Sequence, residues 1–91
     1  MDDRNAILMN TMGELLFVER KVRHMTQKEM AACLGVSNAT LSKWENGTRQ
    51  PYISMYDFFR WCEKLELHPG GIITYLFKEV AKREKKKGDK V

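Results

Sequence analysis

Apolar positions recur along the chain at helical spacing, in segments separated by clear breaks. The breaks fall at Gly13, Gly35, Asn46-Gly47, Pro51 and His68-Pro69-Gly70-Gly71, and no stretch alternates as a strand would. In the first segment, about Asp3 to His24, the residues Leu8, Met12, Leu15, Leu16 and Val22 lie close to one stripe. Gly13 interrupts it at a cost of about 1 kcal/mol against alanine. The pattern therefore fits either one long helix or a short leader before a helix that starts near Thr11, capped by Asn10 or Thr11.

The next two segments are short and well punctuated. Thr26 followed by Glu29 forms a capping-box signature ahead of Met30, Ala31 and Leu34, and Gly35 stands where a helix closes in a left-handed turn. Ser37 then caps a second short helix, with Thr40 able to join the cap, Leu41 and Trp44 as its apolar pair and Asn46-Gly47 as its stop. The segment Tyr52–Leu67, with Ser54 as its cap, carries Met55, Phe58, Phe59, Cys62 and Leu65 on one face and Trp61 at the margin. A last segment starts near Gly71. Its stripe of Ile72, Ile73, Leu76, Phe77 and Val80 fades into a lysine-rich end.

Residues 27–47 carry the information about function. Two short helices meet at a turn in which Gly35 supplies a positive φ and Ala31 permits close approach. Met30, Leu34, Val36, Leu41 and Trp44 fill the seam, leaving polar residues on the outer side of the second helix. This is the helix-turn-helix plan, in which the second helix enters the major groove of DNA. The run Thr26-Gln27-x-x-Met30-Ala31-x-x-Leu34-Gly35-Val36-Ser37-x-x-Thr40-Leu41-Ser42-x-Trp44-Glu45-Asn46-Gly47-x-Arg49-x-Pro51 resembles the Cro and phage-repressor helix-turn-helix domain, the xenobiotic-response-element (XRE) family. The resemblance implies an all-α, compact five-helix domain of lambda-repressor type over residues 12–67. A leader (1–11) and a C-terminal helix with a basic tail (68–91) would flank it. It further implies a dimer on double-stranded DNA.

Site residues follow from the resemblance position by position. Asn38, Ala39, Ser42 and Lys43 are expected at base edges: Asn can pair with adenine, Lys can reach guanine, and Ala can touch a thymine methyl. Gln27, Ser37, Asn46 and Arg49 are expected at backbone phosphates. Arg20 and Glu45 are expected to form a structural ion pair. Trp44 belongs to the core. Tyr52 and Tyr56 stay open between core, dimer contact and phosphate contact.

Composition narrows the alternatives. With 91 residues the chain has room for one core and none for a second domain. Cys33 and Cys62 are too far apart for a CxxC motif, and His24 and His68 complete no ligand set, so no metal or cofactor is expected and the thiols read as reduced, buried side chains. No nucleophile–base pair or phosphate loop suggests an enzyme. No run is long enough to cross a membrane and the first residues do not read as a signal peptide, so the expected location is the cytoplasm, at the nucleoid. The net charge of +4 sits entirely in the last fourteen residues, because residues 1–77 hold nine basic and nine acidic side chains.

The expected function is that of a sequence-specific transcriptional regulator, a repressor binding a near-palindromic operator as a homodimer. The apolar flanks exceed the needs of one small core and mark a partner surface. The C-terminal helix is the first choice for the dimer contact and the N-terminal leader the second. The alternative is an antitoxin-type or adaptor module whose main partner is another protein, engaged through that same helix.

Overall fold

The computed structural model describes residues 3–48 and 51–88, and among these it contains five helices and no strand. They are α1 (Asp3–Val22), α2 (Gln27–Leu34), α3 (Asn38–Glu45), α4 (Met55–Leu65) and α5 (Pro69–Gly88). The fifth helix of the all-α domain is thus the C-terminal helix itself, and Leu8, Met9, Ile72 and Leu76 from the two flanks pack into the core.

The first ambiguity resolves to a single long helix. From Asp3 onward, the proposed leader over residues 1–11 is the first half of α1, and Met9 and Thr11 are buried in the core. Thr11 does not cap a helix start. Its hydroxyl donates to the Ile7 carbonyl at 2.7 Å, within the helix. Gly13 is tolerated in mid-helix because α3 presses against it: a Cβ at this position would lie 2.0 Å from the Trp44 carbonyl oxygen.

The short helices begin with the predicted caps. Thr26 Oγ1 accepts from the Glu29 amide at 3.1 Å, and the Glu29 carboxylate accepts from the Thr26 amide at 2.8 Å. These bonds hold the Glu29 carboxyl below its ordinary pKa, the bond from the Thr26 backbone contributing most. Ser37 Oγ accepts from the Thr40 amide at 3.0 Å and donates to Thr40 Oγ1 at 2.9 Å. Ser54 caps α4 with Asp57 completing a second capping box. At α5 the cap is His68, whose Nδ1 accepts from the Gly71 amide at 3.0 Å, so the helix begins at Pro69, two residues earlier than predicted.

The first four helices end alike. In each, a residue at positive φ (His24, Gly35, Gly47 or Glu66) turns the chain so that the next amide bonds back to a carbonyl five residues earlier. The Arg60 guanidinium lies over Gly35, in space that its flexible side chain can vacate, so the positive φ is what calls for glycine here.

The core gathers Leu16, Met30, Leu34, Leu41 and Trp61, each at most 1 % exposed, with Trp44 and Phe58 beside them. Trp44 and Trp61 meet edge to face, their ring centroids 5.5 Å apart. This contact corrects the predicted face of α4: Trp61 is central while Met55 and Phe59 are exposed. Val22 is likewise exposed at the end of α1, and among the described residues of α5 Leu76 is the one buried, with Phe77 78 % exposed. Arg83 fastens α5 to α1. Its guanidinium donates to Glu14 Oε1 at 2.8 Å, Glu14 Oε2 at 3.0 Å and Thr11 Oγ1 at 3.1 Å, and the carboxylates of Glu14 and then Glu79 raise its pKa. Of the two thiols, Cys62 is buried and Cys33 half-buried, and desolvation raises the Cys62 pKa.

Candidate nucleic-acid interface

The orientation of α3 is fixed from its inner side. Leu41 and Trp44 are buried, and the Trp44 indole N–H donates to the Pro51 carbonyl at 2.9 Å. That bond ties α3 to the loop that follows it and commits the indole to the interior. With Leu41, Trp44 and Glu45 committed inward, the opposite side of α3 turns outward. Asn38, Ala39 and Lys43 are exposed and Ser42 is half-buried. Spacings of one and four residues place these four on one side of the helix.

Glu45, at the end of α3, is the centre of a polar cluster that locks α1, α2 and α3 together. Arg20 grips it with two parallel bonds, Nε to Oε2 at 2.8 Å and Nη2 to Oε1 at 3.0 Å. Arg20 Nη1 also donates to the Met25 carbonyl at 3.0 Å, and Gln27 Nε2 donates to Glu45 Oε1 at 3.1 Å. The side chains of Arg20 and Glu45 are 9 % and 3 % exposed. The paired carboxylate raises the Arg20 pKa, with the hydrogen bond outweighing desolvation. Gln27, half-buried at the first position of α2, is therefore tethered beside the N-terminus of its helix, where backbone amides favour an anion. Ser37 is exposed, and so is Asn46, which closes α3. Arg49 lies outside the described residues. Tyr52 and Tyr56 are both exposed, which removes them from the core.

Sequence reasoning missed Arg60. From α4 it donates to the Leu34 carbonyl at 3.3 Å, covering the open end of α2 at the turn, and it lies over the Tyr56 ring at 5.4 Å. Its partner is 26 residues away, so no local spacing marks it.

Charge that cancels in the formal count is unevenly available in space. Among the described residues Glu14, Glu19, Glu79 and Glu84 are held by arginines, Glu45 by Arg20 and Gln27, and Glu29 and Asp57 by helix caps. Lys28 and Lys43, exposed on α2 and α3, have no such engagement. Glu63 and Glu66, near the end of α4, are exposed as well, so the free positive charge of the helix-turn-helix is local to Lys28 and Lys43. Among the described residues no cluster of side chains suits a metal ion, and no helix is long and apolar enough to cross a membrane.

Comparison with known proteins places a helix-turn-helix family model over residues 19–69, more than half of the chain. No curated protein and no solved structure matches it.

Proposed function

The chain belongs to the XRE-type helix-turn-helix family of DNA-binding regulators, and from this premise we propose that it is a repressor that reads a near-palindromic operator as a homodimer. One observation carries the reading: α3 is anchored by Leu41, Trp44 and Glu45 while Asn38, Ala39 and Lys43 stand in solvent. A helix held this way presents side chains to base edges without rearrangement. Asn38, Ala39, Ser42 and Lys43 read bases, and Gln27, Ser37, Asn46 and Arg49 bind phosphates and set the register. Selection of bound sites from random duplexes tests this. A palindromic consensus with half-sites one helical turn apart supports it, and recovery of no preferred sequence overturns it. On the selected site, Lys43→Ala is expected to cost about 1–3 kcal/mol and to relax one base position. An equal loss on every sequence would make Lys43 a phosphate contact.

The dimer forms through α1 and α5. A groove of about 490 Å³ between them is lined by Leu8, Ile73, Leu76, Phe77 and Val80. Phe77 lies at the edge of this groove, so knob and hole belong to one patch, as a two-fold interface requires. Phe77→Glu is expected to weaken self-association by about 2 kcal/mol or more, roughly 30-fold. Sedimentation measures it, and an unchanged dimer would exclude this face. The same groove could instead take a different protein. A chain that is monomeric at all concentrations and not retained by duplex DNA at low salt would favour that adaptor reading.

A further inference from the structure

Asn10 lies in the interior of α1, where it caps nothing and where asparagine is a poor helix former. Its neighbours Met9, Thr11 and Met12 are buried in the core, but Asn10 is exposed. It stands against the end of the recognition helix: its Oδ1 occupies the place that a Cβ on Gly47 would need. The side-chain nitrogen lies farther from that place, and among the described residues it has no acceptor. Asn10 thus keeps two N–H donors free beside the loop that follows α3. The loop has no main-chain donors of its own to offer there. The amides of Asn46, Gly47 and Thr48 bond back to the carbonyls of Ser42, Trp44 and Lys43 at 3.0, 3.0 and 2.9 Å. An anion at this end of α3 must therefore be met by side chains. Asn46 and Thr48, on either side of Gly47, are exposed, and Asn10 joins them from α1. The nearest acidic residue along α1 is Glu14, and its carboxylate is held by Arg83 of α5.

We propose that Asn10 is a further phosphate contact, donating through Nδ2 to the stretch of DNA backbone that Asn46 reaches. This rests on the operator reading and deepens it, because it brings in a residue outside positions 19–69, the part of the chain that the family model covers. The duplex is then held by α1 as well as by the helix-turn-helix. A side-chain amide binds a phosphate oxygen without reading a base, so Asn10 helps to set the register of α3 in the groove. Being uncharged, it releases no counterion and adds nothing to the salt dependence of binding.

The test measures binding of the full chain to the selected operator and to a mixed-sequence duplex, at a temperature where the unfolding midpoint of every variant verifies that it is folded. Asn10→Ala is expected to weaken binding about tenfold on both duplexes alike, with the slope of log affinity against log salt unchanged. Asn10→Asp sets a carboxylate against the phosphate. It is expected to weaken binding by about a hundredfold at low salt and to make the slope shallower by about one. Lys64→Gln, exposed on α4 between Glu63 and Leu65, makes the same change in net charge and is expected to lose less than about threefold. An Asn10→Asp protein that loses no more than Lys64→Gln overturns the proposal. So does an Asn10→Ala loss confined to the operator, because Asn10 would then act on base readout through Gly47 and not on a phosphate. Lys43→Ala keeps the two readings apart. If it acts as expected and the Asn10 variants bind like the wild type, the phosphate contact fails alone. If it changes nothing while both Asn10 variants weaken binding, the operator reading fails and the contact stands. A wild type that binds neither duplex removes both.

Discussion

Gly13→Ala is expected to destabilise the protein, against the ordinary rule for helices. In an open helix this substitution stabilises by about 1 kcal/mol. Here the added methyl would lie 2.0 Å from the Trp44 carbonyl oxygen. That obstacle is backbone, at the end of the recognition helix, and it cannot rotate aside. Separating α1 from α3 enough to admit the methyl is overpacking, which costs about 1–3 kcal/mol and at times more. A net loss of about 2 kcal/mol would lower Tm by roughly 8–16 °C in a domain of this size. Gly71→Ala is the control. Its new Cβ would make only ordinary contact with His68, at 3.7 Å, and should be neutral or stabilising by about 0.5–1 kcal/mol. Thermal unfolding of both variants decides the matter, and a Gly13→Ala protein as stable as the wild type would mean that α1 and α3 are not in this contact.

The second large effect is expected at Arg20 and Glu45. Truncating either to alanine leaves the other charge buried among three helices without its partner, which costs about 3–5 kcal/mol. That is a large share of the total for a single small domain, about 0.05–0.15 kcal/mol per residue. The double variant Arg20→Met with Glu45→Leu should recover most of the loss, because two apolar groups replace two charges. It leaves Gln27 without its Glu45 acceptor, so its stability and its DNA affinity should part company. Denaturant midpoints of the single and double variants form a cycle that isolates the pair. If each single truncation costs less than about 1 kcal/mol, the pair is behaving as an exposed one and not as a clamp.

The two short helices were readable because their determinants are local. Thr26 with Glu29, Ser37 with Thr40, and the left-handed turns at Gly35 and Gly47 each act within six residues. The turns at His24 and Glu66 escaped notice because positive φ is uncommon in any residue but glycine and nothing local in the sequence marks these two. On α4 the aromatic residues Phe58, Phe59 and Trp61 are equally suited to a core by type. Which of them is buried depends on Trp44 of another helix standing against Trp61. The candidate site divides in the same way. Exposure of Asn38, Ala39 and Lys43 follows from the placement of Leu41 and Trp44 along one helix, whereas Arg60 reaches the turn from a distant segment.

By itself, then, the order of residues determined where the short helices start and stop and which side of α3 is polar, because capping bonds and helical periodicity span only a few positions. Tertiary structure alone decided that Gly13 is a contact point and that the described residues of the leader and the C-terminal helix complete the fold. Those outcomes depend on how whole helices settle against one another, and the relative rotation of two docked helices is set by the shapes of both partners together.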